Sequence, residues 1–152
     1  MTARVFPLPH ARPAGCPQHA PSGGYIAIVD DDEPLRRALS RLLGAFSFQV
    51  RTFGSGREFF DSFSAGTPDC LIVDLQMFEM TGLEIAQHLA DMRLHIPTIV
   101  LTARDEPSAR SSCEMLGVAA FLVKPVTSEL LVDSINTAIA THSTDAAVRF
   151  KT

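Results

Sequence analysis

Four aspartates in this chain could do chemistry, because they follow short apolar runs. Asp30, Asp31 and Asp32 come after one run, and Asp74 comes after another. Two carboxylates about 4 Å apart repel by roughly 4 kcal/mol at an effective dielectric constant of about 20, so such a group must bind a cation or protonate. Carboxylate oxygens with room for water suit Mg²⁺, which leaves positions for a phosphate. We interpret Asp74 as the reacting group beside a magnesium site.

A run of aspartates before a helix also has an ordinary structural explanation. It can cap the first turn and interact favourably with the helix dipole. Asp32 and Glu33 fit this explanation. For Asp30 and Asp31, the metal interpretation depends on whether the fold brings them to Asp74.

Two further polar residues end apolar runs. Thr102 could be an ordinary strand residue, or its hydroxyl could donate to phosphoryl oxygens. The chain has two lysines and eleven arginines, and Lys124 follows an apolar run, where an ammonium could pair with Asp74 and then with a phosphoryl group. The Lys124–Pro125 bond is a candidate cis peptide. These groups suit phosphoryl transfer onto a carboxylate, while the lack of a Gly-rich phosphate loop argues against nucleotide binding.

The acids must be positioned by strands that alternate with helices. Short apolar or alternating runs predict strands at 25–29, 49–53, 70–74, 98–102 and 119–123. Alternation predicts an α/β fold, a flavodoxin-like doubly wound five-stranded parallel sheet of order 2-1-3-4-5 with helices on both faces. Strands 1 and 3 are neighbours in that order, so Asp30 and Asp31 should lie beside Asp74 at the carboxyl ends of the strands.

Five helices are predicted between and after these strands. The first starts at Pro34, the third follows Gly82, the fourth spans 107–116, and the fifth runs from an N-cap at Ser128 to about Ala140. Serines weaken the fourth helix, so we expect it to be the most mobile. The predicted inward residues are Leu35, Leu39, Leu42, Leu43 and Phe46; Phe59, Phe60 and Phe63; Ile85, Ala86, Leu89 and Met92; and Leu131, Ile135, Ala138 and Ile139.

Composition limits the possible partners. The chain has 152 residues, 46% apolar and 20% charged, with a net charge of −4 and a pI near 5.7. This acidic balance argues against nucleic acid or an anionic membrane as the main partner. No run reaches the roughly 18 apolar residues of a membrane span, and prolines interrupt any signal core. We therefore predict a cytoplasmic protein.

The ends and the cysteines complete the prediction. Residues 1–24 hold five of the ten prolines and no acid, which predicts a flexible Pro-rich leader of unread function. A domain at 25–141 and a short tail at 142–152 follow, too short for a DNA-binding unit. We expect either a stand-alone domain or one cut from a longer protein. Cys16, Cys70 and Cys113 are far apart, which predicts free thiols, two of them in the core.

Several separated motifs together resemble one family. They are V-D-D-D-E-P at 29–34, D-L-Q-M-x-x-M-x-G-x-E at 74–84, L-T-A at 101–103 and F-L-V-K-P at 121–125. The chain resembles the receiver domain of two-component response regulators over about 25–140, and is most similar to the FixJ-type subgroup. The resemblance implies a signalling phospho-acceptor rather than an enzyme.

The resemblance also implies a role for each matching residue. Asp74 would accept a phosphoryl group from a histidine kinase. The face from strand 4 to helix 5 would then rearrange, and such receivers often dimerise through it. The matching positions are Asp30, Asp31 and Asp74 for Mg²⁺, with the backbone carbonyl of Gln76; Thr102 and Lys124 for the phosphoryl group; and Thr102 with the aromatic Phe121 for the switch.

Two features stand out against the family pattern. The family usually has Met-Pro after the acceptor aspartate, whereas here Met77 is followed by Phe78, which frees the loop and adds an exposed aromatic. Arg104 and Gln76 lie where the family tunes the lifetime of the acyl phosphate.

Two other functions compete with this prediction. An aspartate-nucleophile phosphohydrolase would need D-x-D-x-[TV] after its first strand. The run from Asp30 to Pro34 fails at the last position, and Gln76 replaces the second acid after Asp74. A receiver-like interaction module that works without phosphate is the second alternative. The filled site positions argue against it, and Phe78 argues for it.

Overall fold

The computed structural model describes the backbone of residues 24–151 and the side chains of residues 24–142. The leader predicted at 1–24 lies outside the described residues except for Gly24, and Cys16 lies outside them as well. The division into leader, domain and tail stays a prediction. Among the described helices, none combines the length and the apolar character needed to cross a membrane.

Five parallel strands form one sheet, in the order β2-β1-β3-β4-β5. The sequence-based fold prediction is therefore confirmed, including the position of β1 between β2 and β3. The strand bounds are β1 Ile26–Val29, β2 Val50–Phe53, β3 Cys70–Val73, β4 Thr98–Thr102 and β5 Ala120–Val123. Each predicted strand overlaps an observed one. The observed strands β1, β2, β3 and β5 are each one residue shorter than the strands predicted at 25–29, 49–53, 70–74 and 119–123.

Helices follow the strands in turn. Their bounds are α1 Glu33–Ala45, α2 Gly56–Asp61, α3 Gly82–Asp91, α4 Pro107–Leu116 and α5 Ser128–Lys151, with a 3₁₀ turn at Ser62–Ala65 after α2. The bounds of α4 agree with the prediction, and the expectation that α4 is the most mobile helix stays a prediction.

Two apolar cores cover the faces of the sheet. Because successive side chains of a strand point to opposite faces, Ile26 and Ile28 enter the core under α1 and α5, while Ala27 and Val29 enter the core under α2, α3 and α4. Cys70 and Cys113 are buried free thiols, one in each core. The sheet is therefore buried on both sides, and its strand ends carry the polar residues.

Local hydrogen bonds moved the ends of two helices from their predicted positions. Helix α1 begins at Glu33 because the Asp32 side chain accepts the Leu35 N–H at 3.2 Å and caps it. The N-cap predicted at Ser128 is wrong, because the Thr127 hydroxyl accepts the Leu130 N–H at 3.1 Å. Helix α5 also continues past Ala140 to Lys151, since no glycine or proline follows to end it.

Two predicted inward residues are exposed, and a third packs against the core from outside its predicted helix. Phe46 and Met92 are 41% and 47% exposed, because each is the C-cap of its helix, where the helical periodicity ends. Phe63 lies in the 3₁₀ turn beyond α2, but its ring still packs edge-on against Phe59 at 5.0 Å. A regular helical period therefore overestimates the apolar face at helix ends.

Candidate functional site

The acidic loop after β1 separates its three aspartates by function. Asp30 is 4% exposed, and its Oδ1 accepts the Asp32 N–H at 2.9 Å. Asp31 is exposed, and its Oδ2 accepts the Phe78 N–H at 3.3 Å. Asp32 caps α1, and Glu33 pairs with Arg37 at 3.2 Å on the surface. The structural explanation therefore applies to Asp32 and Glu33, and Asp30 and Asp31 do not cap the helix.

Asp74 lies beside this loop because β1 and β3 are paired. The Asp74 N–H donates to the carbonyl oxygen of Val29 at 3.3 Å, one residue beyond the last ladder pair. The Asp74 Oδ1 accepts the Gln76 N–H at 3.0 Å. Its side chain is 12% exposed, so the carboxylate is largely enclosed but reachable from solvent.

Lys124 joins the two enclosed carboxylates. Its Nζ lies 3.3 Å from Asp74 Oδ2 and 3.7 Å from Asp30 Oδ2. Strand pairing positions the residue, because the Lys124 N–H donates to the carbonyl oxygen of Thr102 at 2.7 Å. The Lys124–Pro125 peptide is cis, as the sequence suggested. The predicted meeting of Asp30, Asp74 and Lys124 is therefore observed.

Thr102 and Phe121 lie at the same edge of the sheet or just inside it. Thr102 is 1% exposed, and its Oγ1 accepts the Arg104 N–H at 3.3 Å. Phe121 is 7% exposed, and the Arg110 guanidinium lies over its ring at 4.6 Å from the centroid. The Thr102 hydroxyl is thus engaged by the loop that follows β4, and the Phe121 ring is covered by α4.

Electrostatics leaves this site with excess negative charge. Burial raises the pKa of Asp30, and the nearby charges of Asp74 and Asp31 raise it further. The hydrogen bond from Asp32 and the ammonium of Lys124 act in the opposite direction without cancelling the rise. Three carboxylates face one ammonium, and a divalent cation would neutralise that excess.

The donor set fits Mg²⁺ chemically, since its oxygens are hard ligands. Within residues 24–142, however, no three acidic, histidine or cysteine side chains are gathered closely enough to form a metal-binding group. Asp31 is turned toward the amide of Phe78 instead. The oxygen chemistry of these residues therefore fits the ion, while their present arrangement does not assemble a set of ligands among the described residues.

Three contacts at the site were missed by sequence reasoning. Arg36 Nη1 donates to the carbonyl oxygen of Asp30 at 2.6 Å. The sequence indicated this contact only through the position of Arg36, which lies one helical turn before the inward-facing Leu39. The Phe78 amide contact with Asp31 has no sequence signal, because any residue other than proline has the donor. A Cβ on Gly82 would lie 2.5 Å from the Asp74 carbonyl oxygen, so α3 starts against the acidic strand end.

Two curated proteins that are similar in sequence are named transcriptional regulatory proteins. The regulatory protein TdiR of Thauera aromatica is 32% identical over 115 residues, which cover 76% of this chain and 51% of that protein. FixJ of Rhizobium meliloti is 31% identical over 117 residues, which cover 74% of this chain and 55% of that protein. The chain therefore spans about half the length of these relatives.

Solved structures and a family match agree with these relatives. The crystal structure of FixJ-N has a TM-score of 0.71 at 29% identity and covers 78% of this chain and 95% of its own. The chemotaxis protein CheY4 of Vibrio cholerae has a TM-score of 0.68 at 26% identity, with coverages of 74% and 95%. The sequence model described as the response regulator receiver domain matches residues 26–136. The chain belongs to the response regulator receiver domain family.

Proposed function

We propose that this receiver accepts a phosphoryl group on Asp74 from the phosphohistidine of a histidine kinase. The observation that carries the proposal is the Lys124 ammonium, which lies 3.3 Å from Asp74 and 3.7 Å from Asp30. In the transfer, an Asp74 oxygen forms a bond to phosphorus as the phosphorus–nitrogen bond breaks. The imidazole nitrogen leaves with the electron pair, and an acylphosphate remains on Asp74.

The side chains around Asp74 have distinct roles in this step. The Gln76 N–H orients the carboxylate through Oδ1 at 3.0 Å. Lys124 is close enough to pair with the arriving phosphoryl oxygens, which carry more charge than the carboxylate. The Thr102 hydroxyl oxygen accepts the Arg104 N–H at 3.3 Å, and its own proton would be donated to the phosphoryl group. Self-phosphorylation and self-dephosphorylation are the only reactions we assign to the chain.

Asp30, Asp31 and Asp74, with the backbone carbonyl of Gln76, would hold Mg²⁺. The ion would neutralise charge on the phosphoryl oxygens. The support for this assignment is the excess of carboxylates over ammonium groups and the raised pKa of the buried Asp30.

The output surface we propose is the face formed by α4, β5 and α5. Movement of Thr102 toward the phosphoryl group would leave room for Phe121, whose ring packs under Arg110 on α4. Met115 on α4 is 89% exposed, which suits a contact surface. The partner would be a second copy of the chain or an effector domain, since TdiR and FixJ are named transcriptional regulatory proteins.

Labelling with acetyl phosphate and Mg²⁺ tests the function directly. We expect an intact-mass increase of one phosphoryl group in the wild type and none in Asp74→Asn. Asp61→Asn is the matched control, because Asp61 is an exposed acid at the end of α2. Labelling of Asp74→Asn at the wild-type level would place the acceptor elsewhere.

The alternatives give different results in the same assay. A folded wild type that takes no label in the presence of Mg²⁺ would favour the phosphate-independent interaction module. Multiple turnover on a small phosphate ester would favour the phosphohydrolase. We favour neither alternative, because Asp74 and Asp30 are enclosed with Lys124 and no second acid follows Asp74 at position 76.

A further inference from the structure

The Phe121 ring contacts both the apolar core and a charged side chain. Phe121 is 7% exposed and belongs to the core under α2, α3 and α4. The Arg110 guanidinium lies over the ring, 4.6 Å from its centroid. A cation within about 6 Å of an aromatic centroid is attracted by the negative face of the ring. Part of what holds this ring in place is therefore a charge on α4.

The Arg110 guanidinium is itself held by an acid of the loop before α4. Its Nη2 and Nε both donate to Asp105 Oδ1, at 3.0 Å and 3.3 Å. The two side chains are 32% and 49% exposed, so solvent screens the ion pair and the pair itself adds little stability. Two donors on one oxygen do restrict the guanidinium, because its fork is rigid. Asp105 therefore orients Arg110 more than it stabilises the fold.

The loop that contains Asp105 also contacts Thr102. The Arg104 N–H donates to Thr102 Oγ1 at 3.3 Å, and Asp105 is the next residue of the chain. Thr102 and Phe121 are the two side chains that the proposed switch moves. Neighbouring residues of one short loop thus contact the first directly and the second through Arg110.

We propose that Arg110, oriented by Asp105, is a positioning residue that holds the Phe121 ring in its present position and so opposes the switch. The role in switching rests on the proposed function, whereas the contact with the ring does not. A ring that moves toward the space left by Thr102 would move away from the guanidinium. A contact made in only one of two states favours that state by its own free energy, so loss of this contact should shift the balance roughly three- to tenfold.

Urea unfolding of four proteins, without Mg²⁺ or phosphate, measures the contact between Arg110 and Phe121. Arg110→Met removes the charge and keeps an apolar side chain, and Phe121→Leu removes the ring. We expect Arg110→Met to raise the unfolding equilibrium constant roughly three- to tenfold more in the wild-type background than in the Phe121→Leu background. The lost pair with Asp105 affects both comparisons equally and cancels. Equal effects in the two backgrounds would overturn the positioning role.

A spectroscopic measurement detects the same contact without a change at Phe121. In the wild type, nuclear Overhauser effects should connect the Phe121 ring protons with the Arg110 side chain, and the ring current should move the Arg110 Nε–H upfield. Asp105→Asn, which removes the charge that orients the guanidinium, should weaken both signals. Absence of both signals in the wild type would overturn the inference, and undiminished signals in Asp105→Asn would overturn the role of Asp105.

Titration with beryllofluoride, a phosphoryl mimic, at a fixed MgCl₂ concentration tests the effect on the switch. Half-conversion of the ¹H–¹⁵N spectrum should require roughly three- to tenfold less mimic for Arg110→Met than for the wild type. A merely structural loss would leave the affinity unchanged or weaken it. Arg110→Lys, which retains a cation, should require more mimic than Arg110→Met. Arg37→Met is the matched control and should behave as the wild type, because Arg37 is an exposed arginine paired with Glu33 at 3.2 Å on α1.

The outcomes separate this inference from the function on which it rests. A folded wild type that does not respond to the mimic would overturn the phospho-acceptor function and with it the role in switching. The unfolding cycle would still decide whether Arg110 positions Phe121, because it uses neither metal nor phosphate. Equal or weaker binding of the mimic by Arg110→Met would leave phospho-acceptance standing and overturn the opposition to the switch.

Discussion

Three charged residues of this site, Asp30, Asp74 and Lys124, each lie close to a charge of opposite sign. Lys124 is 25% exposed and lies between two acids whose side chains are 6% and 12% exposed. Replacing one partner of such a pair leaves the other charge enclosed without compensation, which costs more than the pair contributes. The ammonium therefore has a structural role, holding Asp30 and Asp74 together, as well as the role we propose toward phosphate.

The burial of Cys70 predicts how the free energy of unfolding depends on pH. Burial raises the pKa of its thiol from 9.0 to about 12. In the unfolded chain the thiol ionises from about pH 9, so the native state binds more protons and the free energy of unfolding falls as pH rises from about 9 to about 12. We expect Cys70→Ala to lose less stability over this window than the wild type.

Urea unfolding from about pH 8 to about pH 11 measures this difference. Cys70→Ala also leaves a small cavity in the core, but that loss is the same at every pH. Only the slope of stability against pH therefore carries the thiol's contribution. Parallel slopes for the two proteins would contradict the prediction.

At the scale of elements, the start of α3 is packed directly on the end of β3. Gly82 begins the helix, and a Cβ there would lie 2.5 Å from the backbone oxygen of Asp74 and 3.0 Å from its carbonyl carbon. These are backbone atoms and cannot rotate away. The position of α3 is therefore tied to the backbone of Asp74.

We expect Gly82→Ala to lower the free energy of unfolding by about 1–3 kcal/mol, because the helix must shift from the strand end. Labelling of Asp74 by acetyl phosphate should slow in the same variant. Gly44→Ala is the matched control, since no atom lies within 4 Å of a Cβ built there in α1. It should gain about 0.5–1 kcal/mol by its better helix propensity.

Urea unfolding of Gly82→Ala and Gly44→Ala measures these two changes in stability. If Gly82→Ala were as stable as the wild type and labelled normally, the loop between β3 and α3 would be free to move away from the helix. The close approach of Gly82 to Asp74 would then have no mechanical consequence.

At the scale of the whole molecule, the proposed reaction site and the proposed output face lie on different parts of the domain and share β5. Asp30, Asp74 and Lys124 lie at the carboxyl ends of β1, β3 and β5, and the proposed contact surface lies on α4, β5 and α5. Thr102 and Phe121 connect the two, because both belong to buried strands that end at or near the site. The effect of phosphorylation at Asp74 would be transmitted to the proposed output face through these two residues.

Sizing by sedimentation tests dimerisation through this face. With Mg²⁺ and beryllofluoride as a phosphoryl mimic, we expect the wild type to change from monomer to dimer. Met115→Gln, an exposed position on α4, should weaken the dimer at least several-fold, because polar substitution removes apolar contact area. Met92→Gln, after α3 and outside the face, should not. A wild type that binds the mimic and stays monomeric would overturn the dimer and leave phospho-acceptance standing.

The strands and their order were predictable from the amino-acid sequence, and so was the edge of the sheet at which the residues of the proposed site lie. Apolar runs of four or five residues ending in Asp30, Asp74 or Lys124 have one good arrangement, because a strand buried on both faces admits polar groups only at its ends. The alternation with helices then places the carboxyl ends of parallel strands together. The motifs predicted the family to which the chain belongs, and the relatives and the family match confirmed that prediction.

Which atoms meet at the site depends on how the folded chain turns. The bonds from Arg36 to the Asp30 carbonyl and from the Phe78 amide to Asp31 depend on loop conformations. A backbone donor is present in almost every residue, so its partner is set by where the chain turns. The start of α1 and the N-cap of α5 were missed for a different reason, because caps such as those of Asp32 and Thr127 are local contacts without periodicity. Apolar spacing determines which faces are buried, and hydrogen bonds between distant loops determine how the site is held.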